Sequence, residues 1–325
     1  MDSWLKSGYV CHPQQQYTLR RVELTEGKAK GAGVIEVCTA GGLQADILPD
    51  TGLDIGQVRF RGTNMTFLSK NGYDSPAAIM PYETEFLHTF PGGLLYTCGL
   101  RSTGPANRDG EEWHPLHGRY HGLQAEHVST DVEDDIIVIK GTLRETALFG
   151  ACLELKRTIR IPVFGAEITV SDAITNLTPR DEEYMLLYHC NFGYPLISEK
   201  ARVLLPENRI TTPRTAFART GMDKVCSFDP PVPGEEERVF FHEGMEHIAG
   251  VENQALGVRV TLTWSDSLPI LAHWRSMASG DYVLGLEPTN SYIMGRSEER
   301  KNGTLPVIKA YETIKTMVKY QFETC

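Results

Sequence analysis

The chain has 325 residues and a mass of 36.3 kDa, and its 32 basic against 42 acidic side chains leave a formal net charge of −10. That sign argues against a nucleic-acid binder, which would carry a basic stripe, and a composition 41% apolar and 23% charged is that of a folded globular chain rather than a disordered one. Apolar runs such as Ile136-Ile137-Val138-Ile139 are far shorter than the roughly 20 residues a membrane-spanning helix needs, so no membrane partner is expected.

Taken in chain order, the opening stretch MDSWLKSGYVCHPQQQ lacks a basic start followed by an apolar segment, so the expected location is the cytoplasm. Residues 1–20 are expected to be a peripheral segment on a single domain spanning 1–325. The segment Gly27 to Gly33 has neither of the glycine spacings that cradle phosphates. Apolar residues alternate weakly from Val34 to Leu48, which predicts strand. Between Ala77 and Phe90 the pattern turns helical, but Pro81 and Pro91 limit it to short turns. Strand is predicted again over Ile136 to Leu143.

The cleanest alternation follows, with Leu153, Leu155, Ile159 and Ile161 on one face and Glu154, Lys156, Thr158 and Arg160 on the other. Ile168, Val170 and Ile174 repeat the pattern before a turn at Asn176 to Pro179, and the two stretches read as a hairpin. Asp229 to Arg238, with three prolines and a glutamate run, reads as an exposed loop. Strands are predicted over Leu256 to Trp264, Tyr282 to Leu286 and Val318 to Phe322. Strands without intervening helices mean large antiparallel sheets and an all-β fold, since parallel crossovers normally carry a helix. The seven scattered cysteines contain no C-x-x-C pair and are expected to be reduced thiols.

Three clusters carry candidate chemistry. HPLHGRYHG places His114, His117 and His121 within eight positions; they are metal ligands, sugar or anion contacts, or plain core histidines. In YHCNFGYP, His189 and Asn191 flank Cys190 and so share one face of a strand, which suits a sugar pocket or a satisfied core histidine. In GLEPTN, Glu287 is a lone carboxylate just past an apolar strand, either a general acid/base or a turn residue.

HGRYHG, YHCNFGYP and GLEPTN, in that order, resemble the aldose 1-epimerase, or galactose mutarotase-like, superfamily. PDTGLDIGQVRFRG from Pro49 and FPGGLLYTCGL from Phe90 resemble a less characterised branch of it, and the likeness spans Val34 to Phe322. The resemblance implies a β-supersandwich whose cleft interconverts the anomers of an aldose or aldose derivative by acid/base ring opening and reclosure. It implies His189 as acid on the ring oxygen, Glu287 as base on the anomeric hydroxyl, His117 as a substrate-binding histidine, and no metal or organic cofactor. The family's HGG-type motif is broken here by Arg119, and its hydroxyl-binding aspartate matches no motif; Asp54 is assigned by position alone.

Further expected sugar contacts are His121, Asn191 and the stacking Trp274. Arg119, with Arg59 and Arg275, is expected to form a fork for an anionic substrate, or else to pair with Asp50 or Asp54. One base and one acid on opposite sides of the sugar ring suffice for the reaction. Two rivals stand beside it: a carbohydrate-binding protein without turnover, and a metal-dependent sugar isomerase using the three clustered histidines. The expected partner is a small sugar and not a nucleic acid, with assembly into a homodimer left open.

Overall fold

The structure, a computed structural model, describes residues 4–325. Three antiparallel sheets make up its frame. An eight-stranded sheet runs in the order Ala201–Leu204, Ile248–Asn253, Val258–Trp264, Thr313–Thr324, Glu167–Asn176, Cys152–Pro162, Ile136–Thr146 and Glu126–Glu133. A six-stranded sheet runs Ile210–Pro213, Arg238–Glu243, Ile270–Ala278, Asp281–Thr289, Met185–Phe192 and Tyr96–Leu100. The third, of five strands, is built by the N-terminal part from Tyr17–Glu23 to Thr63–Asn64.

The eight-stranded sheet follows the alternation. Leu153, Leu155, Ile159 and Ile161 are buried, and the expected hairpin pairs Leu155 with Ile174 and Ile159 with Val170. The stretch Val34 to Leu48 is two strands, Gly33–Thr39 and Leu43–Leu48, because Gly42, at φ +93°, turns the chain between them. Of the segment expected to be peripheral, residues 17–20 join the edge strand Tyr17–Glu23. The region Ala77 to Phe90 yields only the four-residue helix Phe86–Thr89. None of the seven cysteines is paired, and no helix among the described residues is long and apolar enough to cross a membrane.

The six-stranded sheet positions the site. Leu186, Tyr188, Cys190 and Phe192 face the large core shared with the eight-stranded sheet, where Cys190 lies 3.1 Å from the Tyr320 hydroxyl. The alternate residues Leu187, His189 and Asn191 face the other way, toward a second apolar cluster of Phe86, Phe90, Tyr96 and Val239. Both faces of these strands are covered, so they carry no period-two signal.

Between the two sheets lies a buried ion network. Arg157, with no exposed side-chain surface, bonds Asp54 at 2.5 Å and Asp172 at 2.7 Å, and also reaches Thr97 Oγ1 and Gly52 O. The Tyr188 hydroxyl donates to Asp172 at 2.6 Å.

Candidate active site

Neighbouring strands of the six-stranded sheet bring His189 and Glu287 together. Cys190 pairs with Leu286, which sets the two polar side chains next to each other on the outer face. Glu287 therefore sits inside the strand Asp281–Thr289 rather than just past its end. His189 Nδ1 lies 2.6 Å from Asn191 Oδ1 and 3.2 Å from Glu287 Oε1. The amide of Asn191 is fixed because its Nδ2 donates to Gly93 O and His189 O, so its oxygen accepts from His189 Nδ1–H. Nε2 is then the ring nitrogen left for a ligand. Both Glu287 oxygens lack a hydrogen-bond partner.

The pair floors a cleft of about 290 Å³, walled by Phe86, Leu87, Phe90, Leu116, Val239 and Ile293, with His117, Trp274, Arg214 and Glu237 as the remaining side chains of note. Trp274 sets its ring edge-on to His189, centroids 5.2 Å apart, and donates Nε1 to Glu237 at 2.7 Å. Arg214 lies 3.2 Å from the same carboxylate. His117 tilts over Phe86 at 4.8 Å, and its Nδ1 accepts a long bond from Gly104 N.

Burial sets the proton inventory. It holds the Glu287 carboxyl well above the usual carboxylate range; Glu237 adds to this and Arg214 opposes it. It pushes His189 down to about 4 against the bond to Asn191, and pushes His117 well below its ordinary value with help from His189. Burial thus favours a protonated carboxyl beside a neutral imidazole, two groups sharing one transferable proton.

Gly285 makes the room. A Cβ there would stand 2.2 Å from Glu287 Oε1 and 3.2 Å from Trp274 Cε3. Gly285→Ala is expected to leave the fold in place, since this glycine needs no positive φ. It should cut turnover by roughly a hundredfold, the cost of displacing a reacting group by about 1 Å. Steady-state rates with a circular dichroism control check it.

Of the expected site residues, His189, Glu287, His117 and Trp274 line the cleft, and Asn191 holds His189 from beside it. His121 lies behind the wall, stacked on Tyr96 at 5.5 Å, with burial holding it at about 4. Asp54 is corrected: it is a core ion-pair partner of Arg157, away from the cleft. The arginine fork is corrected too, because its members lie in three places. Arg119 donates to Trp113 O and nears Glu112, not Asp50 or Asp54. Arg59 lines a groove on the N-terminal sheet, and Arg275 donates to Lys224 O and packs on Phe228.

His114 is fully buried 3.7 Å from Glu112. Among the described residues no three His, Cys, Asp or Glu side chains gather as a metal-ligand group, so the HPLHGRYHG histidines do not converge on one point. The sequence reading missed Arg214 and Glu237. Glu237 closes the loop read as merely exposed, and only its placement beside Trp274 marks it.

No curated protein sequence matches the chain. Among solved structures, a Klebsiella pneumoniae protein provisionally described as an aldose 1-epimerase superposes with a TM-score of 0.88 at 24% identity, covering 94% of this chain and 83% of that one. A galactose mutarotase-like protein of Clostridium acetobutylicum gives 0.65 at 15% identity, with 96% and 100% covered. Galactose 1-epimerase of Lactobacillus acidophilus gives 0.63 at 13%, with 95% and 99% covered. These likenesses establish the galactose mutarotase-like β-sandwich fold. Residues 29–322 match the family described as a domain of unknown function, DUF4432, and the chain belongs to that family.

Proposed function

We propose that the protein is an aldose 1-epimerase-type isomerase that exchanges the anomers of a free sugar. The observation that carries this is the contact of His189 with Glu287 on the cleft floor, with His189 Nε2 and the Glu287 carboxyl both left for a ligand. The ring oxygen and the anomeric hydroxyl hang on the same carbon, so two proton-transfer groups side by side serve them better than groups on opposite sides of the ring. His189 gives a proton to the ring oxygen while Glu287 takes the hydroxyl proton; the ring opens, the carbonyl turns, and reclosure returns both protons.

In this sense the pair's one transferable proton sits on His189 Nε2, because Nδ1 already carries the proton given to Asn191, and Glu287 is the carboxylate. The Asn191 carbonyl supports the imidazolium so formed, and Arg214 supports the carboxylate. Trp274 offers an apolar face for the sugar, and Glu237 and Arg214 hold hydroxyls. Local charge balance, one arginine against one carboxylate, suits a neutral sugar.

NMR of anomer exchange across a panel of aldoses tests this, repeated over pH. Rates are expected to hold level between the His189 and Glu287 values. They should fall near pH 4 as His189 takes a second proton and the pair loses its base. They should fall again as pH rises through the raised Glu287 value, where the pair loses its acid. No acceleration of any sugar, with sugars still binding, would make this a carbohydrate-binding protein.

A further inference from the structure

Strand order lays the cleft out as a gradient. From one edge of the six-stranded sheet to the other it reads Arg214 and Glu237, then Trp274, Glu287, His189, and last Phe86 and Phe90, which cover Tyr96 of the edge strand. Phe86 and Phe90 stack at 4.9 Å and meet Tyr96 edge-on at 5.7 and 5.1 Å. Phe90 also lies 5.2 Å from the His189 ring. The charged groups of the cleft wall, Arg214 and Glu237, therefore lie on the Glu287 side, beyond Trp274 and Val239, and the His189 side is the aromatic pair Phe86 and Phe90.

This asymmetry orients a sugar, given the proposed roles, on which the inference rests. With the ring oxygen at His189 and the anomeric hydroxyl at Glu287, C2 and its hydroxyl extend toward Glu237 and Arg214. C5, bonded to the ring oxygen, and its C6 substituent extend toward Phe86, Phe90 and Leu87. A hydroxyl on C6 would face carbon on those walls, and burying a hydroxyl unpaired is unfavourable. His117 is the polar side chain at this end, and with Nδ1 taken by Gly104 its ring has one nitrogen free. That serves one hydroxyl, not the two that C4 and C6 of a hexose present.

We infer that the preferred substrates are 6-deoxyhexoses, their C5 methyl seated against Phe86, Phe90 and Leu87. The experiment measures kcat/KM for anomer exchange by NMR on matched pairs: fucose with galactose, 6-deoxyglucose with glucose, and rhamnose with mannose, with 2-deoxyglucose as a further probe. The deoxy member of each pair is expected to exchange roughly tenfold to a hundredfold faster, the range for an apolar pocket rejecting an added hydroxyl.

Leu87, 63% exposed at the mouth, can be changed without disturbing the core. Leu87→Gln offers the missing partner and should narrow the ratio by raising the rate on the hexose. Equal or faster exchange of the parent hexoses would overturn the inference while leaving the epimerase reading intact. Preference for 2-deoxyglucose over both glucose and 6-deoxyglucose would overturn it by reversing the sugar in the cleft, with Glu287 on the ring oxygen. An unchanged ratio in Leu87→Gln would overturn the seating of C6 on that wall. No exchange on any pair would remove the epimerase reading and the inference with it.

Discussion

Glu287→Gln is expected to slow anomer exchange by roughly a hundredfold to ten-thousandfold, the usual worth of a general acid/base group, while the protein becomes more stable than the wild type as pH rises. The stability half follows from the buried, unpartnered carboxyl. Its folded pKa lies above that of the unfolded chain, so the wild type is favoured below about pH 4.3 and loses stability as pH rises toward the folded value. The loss is about 1.4 kcal/mol per pH unit across that window. Glutamine fills the same space and titrates nowhere. Urea unfolding of both proteins at pH 5 and pH 8, beside exchange rates, reads both effects. His189→Asn should show the same loss of rate. Near wild-type exchange in either variant would end the assignment of roles, and a stability difference independent of pH would mean that Glu287 is ionised in the fold.

Arg157→Met should cost about 3–5 kcal/mol of folding stability, because it strands the buried carboxylates of Asp54 and Asp172 without their cation. The network lies under the strand that carries His189: Thr97, bonded to both Arg157 and Asp54, pairs in register with Tyr188, the residue before His189. Asp54→Asn separates this structural role from sugar binding. A core partner loses stability on substitution with KM for a good substrate unchanged; a sugar ligand raises KM and leaves the denaturation midpoint in place. The first result is expected. A loss below about 1 kcal/mol for Arg157→Met would show that the carboxylates find other partners or take protons.

The half-buried strands were legible in the sequence because each has one wet and one dry face. Alternation in Cys152–Pro162 and Glu167–Asn176 follows directly from that exposure, and so did the all-β architecture. The motif order carried the resemblance to the mutarotase-like fold, and the period of two put His189 and Asn191 on one face. Pairing across strands is a different kind of information. That Glu287 meets His189, that Arg214 and Glu237, each flanking the end of a further strand, close the polar end, and that Arg119, Arg59 and Arg275 scatter are all set by register and strand order over separations of tens to hundreds of residues. Asp54 shows the limit most plainly. A carboxylate in a glycine-bracketed motif reads alike whether it faces a ligand or a buried guanidinium, and only the packing of Arg157 from a strand a hundred residues away decides which. Local pattern records how wet each side chain is, whereas the site is made by which strands lie side by side.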